Sequence, residues 1–327
     1  MTGHGAQADE SSTPHGNSRG AIIPGSGSGD GVGVPSFTLT VPAPAALPVL
    51  IAVPHAGRFY PPELSAQMRR PAASCLRLED RLVDLVGRAV AAETGAALLV
   101  AHAPRAMIDL NRAPGDIDWE MVNGGPNCAN AGSARTRPAL GSRARGGLGL
   151  VPRRLPGIGE LWQRRLGAQE LEARLAQVHR PYHAALAGGL QQLHDRWGAA
   201  LLVDLHSMPP LGPKTGADAA PDFVIGDRFG AACGADLVAA ALEQLGRAGH
   251  RVAHNRPYAG SYVLDRHGAP ARSIHALQVE VCRTAYLDSA LAEPGPGLPG
   301  VVATLTALVR RLAAELSSRH SARLAAE

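Results

Sequence analysis

The chain has 327 residues, a formal net charge of +4, 45% hydrophobic residues and only 4% aromatic ones. That length suits one large α/β domain or two ordinary ones around an aliphatic core, and no continuous basic stripe interleaved with aromatics suggests a nucleic-acid partner. The cysteines Cys75, Cys128, Cys233 and Cys282 lack zinc-knuckle or CxxC spacing, and neither a secretory leader nor an apolar run of membrane-spanning length is visible, so a cytoplasmic location away from membranes is expected.

Residues 1–36 are rich in Gly, Ser, His and Pro, too poor in large apolar side chains to offset the entropy of ordering, and read as a disordered tail. A domain over 37–320 follows, with a short polar tail at 321–327. Its first strand is expected at Leu47 to Val53, and FYPPEL then enters a short helix. From Leu78 to Glu93, Leu78, Leu82, Leu85 and Val86 fall on one helical face, with Gly95 as C-cap. Ala96 to Ala101 reads as a second strand and Met107 to Leu110 as a brief third. Residues 113–158 turn basic and rich in Gly and Pro, with Arg135, Arg137, Arg143, Arg145, Arg153 and Arg154; they read as a solvated insertion or an active-site flap. Leu161 to Trp197 has helical spacing, and Pro181 predicts a kink or a break into two helices.

The strand Leu201 to Pro210, LLVDLHSMPP, ends in an acid, a histidine and a serine. PDFVIGD gives a further strand, Ala232 to Ala248 an amphipathic helix, and Arg251 to Asn255 a short strand. The stretch NRPYAGSYVLDRHGAP reads as loop, HALQVEV from His275 as the last strand, and Val301 to Arg319 as the closing helix. Strands alternating with helices predict an α/β fold with a mixed, largely parallel central sheet flanked by helices.

Several residues break the apolar pattern in ways that suggest chemistry. His55 follows the first buried strand, and His206 ends the central one with Asp204 on the same face. Two histidines at the ends of apolar strands suit a metal site at the carboxyl edge of a parallel sheet, and Asp204 could orient one of them. Glu280 interrupts a strand in which an unpaired charge would be costly, so it is salt-bridged or functional. Glu79 and Asp80 are adequately explained as helix-start acids. Arg105, Asn111 and Arg112 could cap and pair at the surface, or recognise a carboxylate. His179 and His183 are spaced for a shared helical face, although Pro181 between them weakens that geometry.

Taken together, PHAG at 54–57, LEDRLVD at 78–84, PRAMIDLNR at 104–112, RPYH at 180–183, DLHS at 204–207 and IHALQVEVCRTAYLD at 274–288 resemble the N-formylglutamate amidohydrolase family over about 48–310. The resemblance implies a zinc-carboxypeptidase-like single domain with one Zn²⁺, related also to aspartoacylase-type deacylases. It implies His55 and His206 as ligands. No glutamate stands three residues after His55, so Asp80, rather than Glu79, is the implied carboxylate ligand. Glu280 corresponds to the general base, Arg105 to the arginine that polarises the scissile carbonyl, and Asn111 with Arg112 to the pair that grips the substrate carboxylate. The expected substrate is a small N-acyl acidic amino acid, foremost N-formyl-L-glutamate. The alternatives are a carboxypeptidase or deacylase acting on another acyl group or peptide, and a non-catalytic carboxylate-binding protein.

Overall fold

The computed structural model describes residues 18–19, 22–23, 33–124, 142–216 and 219–324. Eight strands form the main sheet: β1 (Ser18–Arg19), β2 (Phe37–Thr40), β3 (Val49–Val53), β4 (Ala97–Ala101), β5 (Ala200–Met208), β6 (Phe223–Gly226), β7 (Val252–His254) and β8 (Ile274–Cys282). Their order is β1-β2-β4-β3-β5-β8-β6-β7. The central pairs β4/β3, β3/β5 and β5/β8 are parallel, as is β6/β7; β1/β2, β2/β4 and β8/β6 are antiparallel. The sheet is therefore mixed, with a parallel centre.

Both faces of the centre are covered, which is why its strands are continuously apolar rather than alternating. On one face Val49, Ile51, Val53, Leu201, Val203 and Leu205 pack against three helices, α2 (Val83–Thr94), α4 (Ala235–Arg247) and α6 (Leu298–Leu324). On the other, Leu50, Ala52, Ala200, Leu202 and Ala276 pack against α3 (Arg180–Trp197) through Tyr182, Leu186, Leu190 and Leu193. Period-two alternation carries this second face onward to Asp204 and His206 on β5 and to Gln278 and Glu280 on β8. The carboxyl ends of the parallel strands thus turn from core to polar groups.

Four local expectations are corrected. The helix expected from Leu78 is two helices, α1 (Pro71–Leu78) and α2, separated by 79–82, with Leu82 in the left-handed region at φ 58° and Leu85 exposed. The turn is imposed from outside: the Asp80 N–H donates to the His55 carbonyl at 2.9 Å, and Arg283 donates to the Glu79 carbonyl. Met107 to Leu110 is a turn rather than a strand, closed by Met107 N–H on the Pro104 carbonyl at 2.8 Å. At Pro181 the helix neither breaks nor ends, because a π-helical turn at Leu175–His179 absorbs the missing N–H and joins Ala168–Arg174 to α3. The loop after Asn255 contains a short helix, α5 (Tyr262–His267).

Of the expected tail, Ser18–Arg19 pair with β2, and Ile22–Ile23 pair with Val34–Pro35; the rest up to residue 32 lies outside the described residues, as do 125–141 with Arg135, Arg137 and Cys128. Among the described residues no helix is long and apolar enough to cross a membrane.

Candidate metal centre

His55, Asp80 and His206 converge, each buried, with one ligand atom from each lying within 4.8 Å of the others. The Asp80 carboxylate stands 2.9 Å from His206 Nδ1 and 3.6 Å from His55 Nδ1. The opposite ring nitrogens are held by further buried carboxylates: His55 Nε2 lies 2.7 Å from Asp109 Oδ1, and His206 Nε2 2.9 Å from Asp204 Oδ2. A carboxylate on the far nitrogen fixes the tautomer and aims the near nitrogen at a cation. Two imidazoles and one carboxylate, each imidazole so oriented, fit a divalent ion such as Zn²⁺ by donor chemistry, count and burial.

The position of His55 depends on Gly57. A Cβ there would overlap the carbonyl of Ala103, so the glycine serves the close packing of the strand-end loop against its neighbour. Asp80 faces the histidines because of the 79–82 turn, whereas Glu79 turns away to Arg81 at 3.1 Å. Burial would raise the Asp80 carboxyl, but the hydrogen bonds from His206 and His55 lower it. Arg283 adds a second tie, with Nη2 3.4 Å from Asp80 Oδ1 and Nε donating to Ser207 Oγ at 3.2 Å.

Glu280 stands beside His206 because the two are register partners on β8 and β5. Gln278 donates to its carboxylate at 2.9 Å. Burial, joined by the charges of Asp80 and Asp204, pushes the Glu280 carboxyl up to about 7 against the pull of His206. That places a proton acceptor at working pH next to the histidine-aspartate cluster.

Arg105, Asn111 and Arg112 reach the same hollow, a cavity of about 370 Å³ that His55, Asp80, His206, Glu280 and Tyr258 also line. Arg105 Nε donates to Asp109 at 2.8 Å. Burial alone would raise the Asp109 carboxyl, yet Arg105, His55 and Arg112 hold it well below the usual range. Asn111 Oδ1 accepts from the Val263 N–H at 3.0 Å, and its Nδ2 lies 3.4 Å from His206 Nε2, the ring nitrogen that also meets Asp204. Arg112 is buried, its Nε on the Leu148 carbonyl and its Nη1 on the Asn111 carbonyl and Ser261 Oγ. A larger hollow, about 600 Å³ around Trp119 and Trp162, holds none of these groups.

His179 and His183 are not in the cavity. They stand behind it, with His179 Nε2 donating to the Arg112 carbonyl at 2.9 Å and His183 Nε2 to the Leu110 carbonyl at 3.0 Å. His183 Nδ1 then accepts from His267 at 3.0 Å. Three residues escaped the sequence reading. Asp109 carries the same signal as Glu280, an acid inside an apolar run; Gln278 lies on the strand already singled out, and Arg283 follows directly after its end.

A family model described as N-formylglutamate amidohydrolase matches residues 47–287. An N-formylglutamate deformylase of Pseudomonas aeruginosa is 30% identical over 249 residues, covering 74% of this chain and 83% of the relative. The N-formylglutamate deformylase of Pseudomonas putida is 29% identical over 246 residues, with 74% and 82% covered. Among solved structures, an N-formylglutamate amidohydrolase from Ralstonia eutropha superposes with a TM-score of 0.74 at 33% identity, over 86% of this chain and 98% of that one. A gene product of Agrobacterium tumefaciens, with a TM-score of 0.60 at 17% identity over 87% and 94% of the two chains, shares the fold. On the family match and the coverage of its relatives, this chain belongs to the N-formylglutamate amidohydrolase family.

Proposed function

We propose that the protein hydrolyses N-formyl-L-glutamate to formate and L-glutamate, using one Zn²⁺ held by His55, Asp80 and His206. The observation that carries the reading is the register of β5 and β8, which sets a carboxyl with a pKa of about 7 beside a ligand histidine, in one cavity with guanidinium groups for an anionic substrate. Family membership supports the substrate.

Zn²⁺ in such a three-ligand site supplies Lewis acidity and lowers the pKa of water to about 7. Glu280 takes a proton from the attacking water and returns it to the departing amide nitrogen. Arg105, its guanidinium held by Asp109, stabilises charge developing on the carbonyl oxygen. Asn111 Nδ2 and the outer edge of Arg112 hold the substrate's α-carboxylate and so fix the amide in the cavity. Cys75 and Cys282 are free thiols, which supports a cytoplasmic location.

The test is formate release from N-formyl-L-glutamate by protein of known zinc content. Turnover that a chelator abolishes and Zn²⁺ restores is expected. Fully loaded protein that releases no formate would redirect the reading to another acyl group or a peptide.

A further inference from the structure

Among the described residues of the basic 113–158 stretch, one cation reaches the cavity. Arg143, on the short helix Ser142–Arg145, lines it together with Arg112 and Tyr258. The backbone around Arg143 is anchored to the segment that carries Asn111 and Arg112. Ala144 is fully buried and its N–H donates to Asp116 Oδ1 at 3.2 Å. The Arg143 carbonyl accepts from Leu148 N–H at 2.9 Å, and the Leu148 carbonyl accepts from Arg112 Nε at 3.0 Å. Leu150 ties the other side, donating to the Asp116 carbonyl at 2.6 Å and accepting from Asp109 N–H at 2.7 Å.

The guanidinium itself is in the opposite condition. It is exposed, and among the described residues no carboxylate pairs with it, whereas Arg58, Arg105 and Arg153 each sit on one. Beyond burial, the charges of Arg105 and Arg143 help lower the pKa of Arg112. Cations sharing one cavity repel each other until an anion lies among them.

We propose that Arg143 is the specificity residue for the side-chain carboxylate of the substrate, binding the γ-carboxylate of an N-formyl acidic amino acid while Asn111 and Arg112 hold the α-carboxylate. This assignment rests on the reading of the cavity as an N-formylglutamate site. The division follows from covalent distance. The α-carboxylate shares its carbon with the scissile amide nitrogen, so it must lie near the metal centre, whose cavity Asn111 and Arg112 line together with His55 and His206. The γ-carboxylate is two methylenes further out and reaches the rim, where Arg143 is exposed.

The experiment compares kcat and KM for N-formyl-L-glutamate and N-formyl-L-glutamine in wild type, Arg143→Gln and Arg143→Lys, with a thermal melt of each to confirm folding. Arg143→Gln should raise KM for the glutamate derivative by about 10- to 100-fold, the loss of one charge-assisted pair, with kcat nearly unchanged. The glutamine derivative should be hydrolysed as before, so the preference disappears, and Arg143→Lys should recover part of it. A wild type that prefers glutamate and keeps that preference in Arg143→Gln overturns the assignment alone. Equal losses on both substrates also overturn it, in favour of a general structural role. A loaded wild type inactive on both substrates removes the underlying reading and the assignment with it.

Discussion

Glu280 is placed so that the fold itself tunes its acidity. Burial and the nearby acids raise its carboxyl to about 7, so the base form is lost as pH falls through that region; a bound cation moves the midpoint downward. The rate kcat/KM should therefore drop on the acid side in wild type. Glu280→Gln should retain stoichiometric zinc by elemental analysis and lose about 10²- to 10⁴-fold in kcat, and its residual rate should lack that acid limb. A variant with the limb intact would assign it to another group. At this scale the sequence was informative where a residue contradicts its surroundings: His55 and His206 at strand ends, Glu280 within a strand. The spacing alone does not choose between Glu79 and Asp80, and the preference for Asp80 comes with the family resemblance. Adjacent carboxylates differ only in direction, and direction here is set by the left-handed Leu82 and by hydrogen bonds to the His55 carbonyl and from Arg283, residues distant in sequence. Asp109 carries the same signal as Glu280 within a far shorter apolar run, and its role depends on a turn that brings it to His55 and Arg105.

Elements matter here as carriers. The turn after β3 presents His55 only because Gly57 lets the backbone reach the Ala103 carbonyl. Gly57→Ala must push that loop away, at a cost of about 1–3 kcal/mol, and should weaken zinc binding beyond what the lost stability explains. Differential scanning calorimetry of zinc-free protein with zinc titration separates the two effects, and unchanged affinity would show that the loop can retreat without moving His55. Long apolar strands were legible because both faces of the sheet are covered. β2 was not: Phe37–Thr40 is four residues long and alternates in burial at the margin of the sheet. The helix broken at 79–82 was misread for the converse reason, since its apolar spacing is genuine while tertiary hydrogen bonds override it.

Across the whole molecule, the buried histidines behind the cavity couple stability to pH. Burial, aided by the nearby charges of His179, His267 and Arg266, pushes the His183 ring down to about 2, and burial with Arg266 pushes His267 down to about 3. Both are thus neutral in the fold and take protons when unfolded. Their stabilisation is complete above the ordinary histidine pKa of about 6.5 and is lost as pH falls from there towards 3. Each contributes a slope of up to about 1.4 kcal/mol per pH unit. Urea unfolding of zinc-free protein between pH 7 and 4 should show a shallower pH slope in His183→Asn and His267→Gln than in wild type; an identical slope would place the acid sensitivity elsewhere.

The span between the proposed metal ligands has a kinetic consequence. Asp80 and His206 are 126 residues apart, and they meet only when β3 and β5 lie side by side. A cation can therefore find its ligands assembled only late on the folding route, and its binding energy acts on the finished sheet instead of on the barrier to making it. Zn²⁺ at 100 times its dissociation constant should slow unfolding about 100-fold and leave the refolding rate nearly unaltered, which stopped-flow denaturant jumps would resolve. The metal would then serve as a latch on a completed sheet, and faster refolding in its presence would show instead that it helps to gather the strands.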